Sequence, residues 1–166
     1  MPGRSGKAYA DWLNARGDAF RSRVQVATLD PFNGYKNAFD DQLEDATAVL
    51  DAFHVVKLGT DAVDRCRRRV QEIHGHRGRN NDPLYGIRTT LRAGAENVTD
   101  RQWARLQTAF DADERHLPVW LAWSCAQQLR SAYRHERTAE GRTIAEKVID
   151  SFPTCPVPEM AASAGR

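Results

Sequence analysis

The chain has 166 residues, the length of a single domain, and its 41% hydrophobic and 28% charged residues are ordinary for a globular protein. Twenty-four Lys and Arg against twenty-two Asp and Glu leave a formal charge of +2. That balance excludes a histone-like polycation but not a local basic surface. Twenty of the basic residues are Arg and four are Lys. Arg suits bidentate phosphate recognition, although a GC-rich genome produces the same bias. No run approaches the roughly 18 apolar residues that span a membrane. The N-terminal MPGRSGKAYADW has no apolar stretch of the signal-peptide kind, so the expected compartment is the cytoplasm. Cys66, Cys125 and Cys155 are odd in number and far apart in sequence, which argues against a disulfide framework or a zinc site.

Residues 5 to 16 predict a short helix, with Ala8, Trp12 and Ala15 on one face, Ser5 as N-cap and Gly17 as stop. RVQVATLDPF predicts a strand of about six residues that stops at Asp30-Pro31. Residues 33 to 45 predict a second helix, with Tyr35, Ala38, Phe39 and Leu43 on its apolar side. TAVLDAF, residues 47 to 53, predicts a buried parallel strand. Residues 23 to 53 thus form a strand–helix–strand unit of the length a right-handed parallel crossover needs. Each strand carries an Asp near its carboxyl end, Asp30 and Asp51, where ligands sit in parallel α/β sheets.

Beyond residue 55 the pattern is helical. Helices are predicted at about 60–74, 83–92, 99–110, 114–136 (the longest) and 139–150. Thr99 with Gln102 makes a capping box. Trp103, Trp120 and Trp123, at helical spacing, are expected in the core of this part. FPTCPVPEMAASAGR reads as an irregular tail. The fold class is α/β, mostly helical. Two strands alone make no stable sheet, so the unit looks cut from something larger.

Three constellations have chemical potential. Asp30 before Pro is either a turn residue or a metal-binding carboxylate of the kind two-metal phosphoryl-transfer sites gather at strand ends. Asp51-Ala-Phe-His54 is either structural or an acid pair in which His54 moves a proton near a phosphate. The stretch 65–92 holds Arg65, Arg67, Arg68, Arg69, Arg77, Arg79, Arg88 and Arg92 against Glu72 and Asp82, a local +6 that leaves −4 for the rest. HGHRGR within it reads as an exposed basic loop. Such a patch is either a solvated face or a surface for phosphate backbone. His74 and His76 have no cysteine partners at zinc spacing.

Together, VATLDPFNGYKNAF, TAVLDAFHVVKL, RRRVQ, HGHRGR, DPLYGIR and PTCPVPE resemble the DDE-type transposases of the ISL-three family of bacterial insertion sequences, over roughly residues 2 to 159. The resemblance implies a ribonuclease-H-like catalytic core interrupted by a helical insertion. It divides the chain into a partial core (1–58), an insertion with a basic patch (59–150) and a tail (151–166). It implies two divalent ions, Mg²⁺ or Mn²⁺, held by two Asp and one Glu. Asp30 matches the second Asp and a metal ligand, and Asp51 and His54 match the family's Asp-x-x-His motif. Arg65, Arg67, Arg68, Arg69, Arg77, Arg79 and Arg88 would hold DNA at transposon ends. A motif like Gly-Ile-Asp-Glu and an Asn-Gly-x-x-Glu segment, which carry the other two acids, find no match. The expectation is a chain truncated at both ends, homologous to an enzyme of DNA transposition and recombination but catalytically incomplete. It would sit in the cytoplasm near the nucleoid and partner DNA, a full-length transposase or a second copy. The alternatives are a non-catalytic DNA-binding or regulatory remnant and a product without function.

Overall fold

A computed structural model describes residues 5–29, 33–75 and 81–162. They fall into two compact units, Met1–Val55 and Val56–Arg166.

Unit 1 opens with helix α1 (Gly6–Arg16). The Ser5 hydroxyl accepts a bond from the Ala8 N–H at 3.2 Å, as the cap position requires. Gly17 ends the helix at φ 76°, in the left-handed region open to a residue without Cβ. A single turn, α2 (Asp18–Arg21), follows where sequence patterning predicts nothing. Strand β1 (Val26–Leu29), helix α3 (Asn33–Gln42) and strand β2 (Thr47–Leu50) complete the predicted strand–helix–strand order. The strands pair in parallel, Val26 opposite Thr47 and Leu29 opposite Leu50. Leu13, Phe39 and Leu43 are buried at the centre, ringed by Tyr9, Trp12, Phe20, Val24, Ala27 and Ala46. Trp12 and Phe20 meet edge to face at 5.8 Å. Arg21 ties α2 to α3 by donating to the Gln42 Oε1 at 2.6 Å.

The second strand is shorter than its apolar run suggests. It stops at Leu50, and helix α4 (Ala52–Ile73) begins two residues later. Asp51 causes the change: its carboxylate accepts from the Phe53 N–H at 3.0 Å and its carbonyl from the His54 and Val55 N–H. At 22 residues α4 is longer than the predicted 60–74, and longer than α7 (Leu117–Arg134, 18 residues), the predicted longest helix.

In unit 2, α4 buries Gly59, Ala62, Val63, Cys66, Arg67, Val70 and Gln71. The expected helix over 83–92 divides into a turn, α5 (Pro83–Gly86), and a 3-10 turn at Thr90–Arg92. The Gly86 carbonyl bonds the Arg105 guanidinium at 3.2 Å instead of continuing a helix. Helix α6 (Asp100–Asp111) starts on the predicted capping box, with Thr99 and Gln102 bonding reciprocally. Helices α7 and α8 (Thr138–Ser151) form a hairpin. Its closeness is visible at Gly141, where a Cβ would lie 2.3 Å from the Ala132 carbonyl oxygen.

The stretch after 151, expected to be irregular, forms a 3-10 turn (Phe152–Thr154) and a helical turn, α9 (Pro158–Ala161). Phe152, Val157 and Met160 are buried there. The prolines prevent a long helix, but the apolar residues between them still pack, and Pro158 suits a first helical position. Of the three tryptophans expected in the core, Trp123 is buried and stacks obliquely on Trp103 at 5.4 Å. Trp103 and Trp120 are 41% and 42% exposed, because their faces of α6 and α7 point outward.

Candidate functional site

Leu29 and Leu50 are paired, so the residues that follow them in sequence are Asp30 and Asp51. Asp30, with Pro31 and Phe32, lies outside the described residues. Asp51 sits at the strand-to-helix junction, and its Oδ2 is 3.1 Å from the His54 Nδ1. An ionised carboxylate only accepts, so this pairing places a proton on Nδ1. Both side chains are accessible, His54 at 30% and Asp51 at 41%. The Phe53 ring, 68% exposed, stands edge-on to the His54 ring at 5.5 Å. The arrangement can hold an accessible imidazole in a fixed orientation.

It does not by itself fit a metal ion. One Asp51 oxygen accepts from the Phe53 N–H and the other faces His54. No group of three or more His, Cys, Asp or Glu able to hold a metal occurs among the described residues.

In unit 2 the arginine stretch splits into two kinds of residue. Arg67 is buried at 6% exposure. Its guanidinium donates to Asp64 Oδ1 at 2.7 and 3.0 Å and also bonds the Gln71 side chain. Gln71 in turn bonds the buried Asp82, whose other oxygen accepts from the Leu84 N–H at 2.9 Å and caps α5. Arg69 clamps Glu159 of α9 at 2.6 and 3.1 Å. These two arginines make contacts that hold the bundle together, Arg67 from the interior and Arg69 from a partly exposed position.

Arg65, Arg68 and Arg88 are exposed. Arg88 lies over the Tyr85 ring, 4.0 Å from its centroid. Arg68, 70% exposed, reaches Asp64 Oδ2 at 2.8 Å, and Arg92, 62% exposed, approaches the same oxygen at 3.8 Å. Burial pushes the Asp64 carboxyl up, but the Arg67 hydrogen bond and the charges of Arg67, Arg68 and Arg92 outweigh it and hold the group below the usual range. Arg77, Arg79 and His76 lie outside the described residues.

His74, expected in an exposed loop, has its side chain only 4% exposed, with its ring 5.1 Å from that of the buried His116 and its Nδ1 3.9 Å from Asp113.

Sequence reading passed over the anchors Asp64, Gln71 and Glu159. A usable signal was present: positions 59, 63, 66–67 and 70–71 recur at helical spacing, which places Arg67 and Gln71 on the buried side.

None of the described helices is long and apolar enough to cross a membrane. No solved structure matches the chain. Two curated relatives do, the transposases for insertion sequence element IS1557 of Mycobacterium tuberculosis strains CDC 1551/Oshkosh and ATCC 25618/H37Rv. Each is 24% identical over 186 aligned positions. The match covers 99% of this chain and 41% of the relative, so the chain spans less than half the length of these proteins. The family model described as transposase, of the ISL3 DDE type, matches residues 1–166. The chain therefore belongs to the ISL3 family of DDE transposases.

Proposed function

We propose that the chain serves DNA transposition as part of a DDE transposase, with unit 1 contributing to a ribonuclease-H-like catalytic core and unit 2 acting as a helical insertion that holds DNA. The observation that supports this most is the in-register parallel pair, which is followed in sequence by Asp30 on one strand and Asp51 on the other. Asp51 orients His54, which moves a proton near the phosphate being cut. Asp30 is the carboxylate assigned to a divalent ion, Mg²⁺ or Mn²⁺. By the family resemblance, Asp30 is the one carboxylate of the triad that these 166 residues match. One carboxylate does not hold two ions in line with a scissile phosphate. The 166-residue polypeptide alone is therefore expected not to nick or join insertion-end DNA in Mg²⁺ or Mn²⁺. Metal-dependent cutting that disappears in Asp30→Asn would overturn that expectation.

A second reading, a DNA-binding or regulatory module without catalysis, is favoured by the exposed Arg65, Arg68, Arg88 and Arg92. Binding to duplex DNA should weaken steeply with salt, and Arg68→Ala should lower the slope of log affinity against log salt by about 1. Salt-independent or absent binding would remove this reading.

A further inference from the structure

The turn α5 ends on two consecutive carbonyls, and each holds an arginine. The Tyr85 carbonyl accepts from the Arg88 Nη1 at 3.0 Å, and the Gly86 carbonyl accepts from the Arg105 Nη2 at 3.2 Å. The first bond is local, whereas the second reaches across from α6, nineteen residues away in sequence. The Arg88 guanidinium also lies over the Tyr85 ring, 4.0 Å from its centroid. Both arginines are exposed, and neither is paired with a carboxylate among the described residues. Arg101, exposed one turn earlier on the same side of α6, is likewise unpaired among them. Arg67, Arg68, Arg69, Arg115 and Arg142, by contrast, each reach an Asp or Glu.

Arg105 also lines a cleft of about 330 Å³ with Asn81, Asp82 and Thr108. Asp82 is 4% exposed, and its oxygens accept from the Gln71 side chain and from the Leu84 and Tyr85 N–H groups. Its charge is met by those inward bonds. The cation of Arg105 is the charge that the cleft presents to solvent.

We propose that Arg88 and Arg105, with Arg101 beside them, form a binding site for the phosphodiester backbone of DNA. The proposal rests on the reading of unit 2 as the part that holds DNA, and it carries that surface from the 65–92 stretch onto α6. Like charges anchored on neighbouring carbonyls repel, and an anion between them relieves the repulsion. Each guanidinium spends one nitrogen on its carbonyl, which fixes the side chain, and keeps its other N–H groups for a second acceptor. The paired oxygens of a phosphodiester suit that fork, and no ion pair has to be broken first.

The test uses the full chain and a short duplex, with affinity read by fluorescence anisotropy across a salt series. Arg88→Ala and Arg105→Ala should each lower the slope of log affinity against log salt by about 1, and the double variant by about 2. Arg142→Ala removes the same charge from an arginine paired with Glu146 on α8 and should leave the slope unchanged. In the unsubstituted chain, the side-chain Nε–H resonances of Arg88 and Arg105 should shift on adding the duplex. They should hold still in inorganic phosphate at the same concentration of phosphate groups. That measurement stands even where a variant fails to fold. If Arg68→Ala lowers the slope while Arg105→Ala behaves like Arg142→Ala, the DNA reading survives and this site is overturned. A chain without salt-dependent DNA binding would remove both, and an equal response to inorganic phosphate would overturn the assignment to DNA.

Discussion

Unit 1 and unit 2 protect their backbones and apolar side chains in different ways. Unit 1 places Leu13, Phe39 and Leu43 at a small centre, while Val26 and Val49 of its strands are 59% and 43% exposed. Unit 2 buries Val63, Leu84, Leu106, Val119, Val157 and Met160 at 1% exposure or less. A helix satisfies its own hydrogen bonds, so a helical bundle needs only side-chain packing to close. A parallel strand pair needs more strands or covered faces. The same chain thus joins a unit that completes itself to one whose sheet can accept further strands.

The sharpest way to test this contrast is Phe39→Ala. Loss of a buried aromatic costs about 3–5 kcal/mol, comparable to all that a core of this size supplies. Unit 1 should unfold while unit 2 keeps its helical circular dichroism and its own melting transition. A single shared transition would erase the distinction between the units.

Arg67→Ala attacks unit 2 through its polar interior. It strips partners from Asp64 and Gln71 and is expected to cost about 3 kcal/mol in denaturant unfolding, with Arg67→Lys recovering part of the loss. Thr99→Ala removes one half of the capping box of α6 and should cost about 1 kcal/mol by the same measurement.

Acid should act on unit 2 through Glu159, whose carboxyl is held below the usual range by the Arg69 hydrogen bond, against the opposing effect of burial. A depressed folded-state value means the stabilisation is complete above the unfolded value of about 4.3 and fades as pH falls through the folded one. Glu159→Gln should therefore flatten the acid limb of a stability–pH curve, and an unchanged limb would remove the clamp from the account.

The smallest effect is expected from Arg68→Ala. Arg68 is 70% exposed and Asp64 keeps its bonds from Arg67 without it, so stability should change by no more than about 0.5 kcal/mol while DNA affinity falls. The contrast with Arg67, one residue away, separates the arginines that face solvent from those that hold the bundle.

Much of this was legible in the sequence wherever the signal is local. Ser5, Gly17 and the Thr99–Gln102 box mark helix ends because capping depends on a few adjacent residues. The parallel strand pair was legible from two short β-branched runs separated by a helical period. The start of α4 was not, since TAVLDAFHVV is apolar on both sides of Asp51 and only the cap geometry divides strand from helix. The burial of Arg67 and the pairing of Arg69 were hidden by their charge, because a run of arginines reads as solvated until partners such as Asp64 and Glu159 are brought to it.

The closeness at Gly141 carries a consequence for how this bundle tolerates change. The main chains of α7 and α8 touch there, and the obstacle to any side chain is a carbonyl oxygen that cannot swing aside. The position behaves as a fixed spacer of zero thickness. Even the methyl group of Ala would have to be accommodated by moving a whole helix, and α8 leads directly into Phe152 and the segment that bears Cys155. One hydrogen atom at residue 141 thus sets the tolerance of a joint whose far end lies fourteen residues further along the chain.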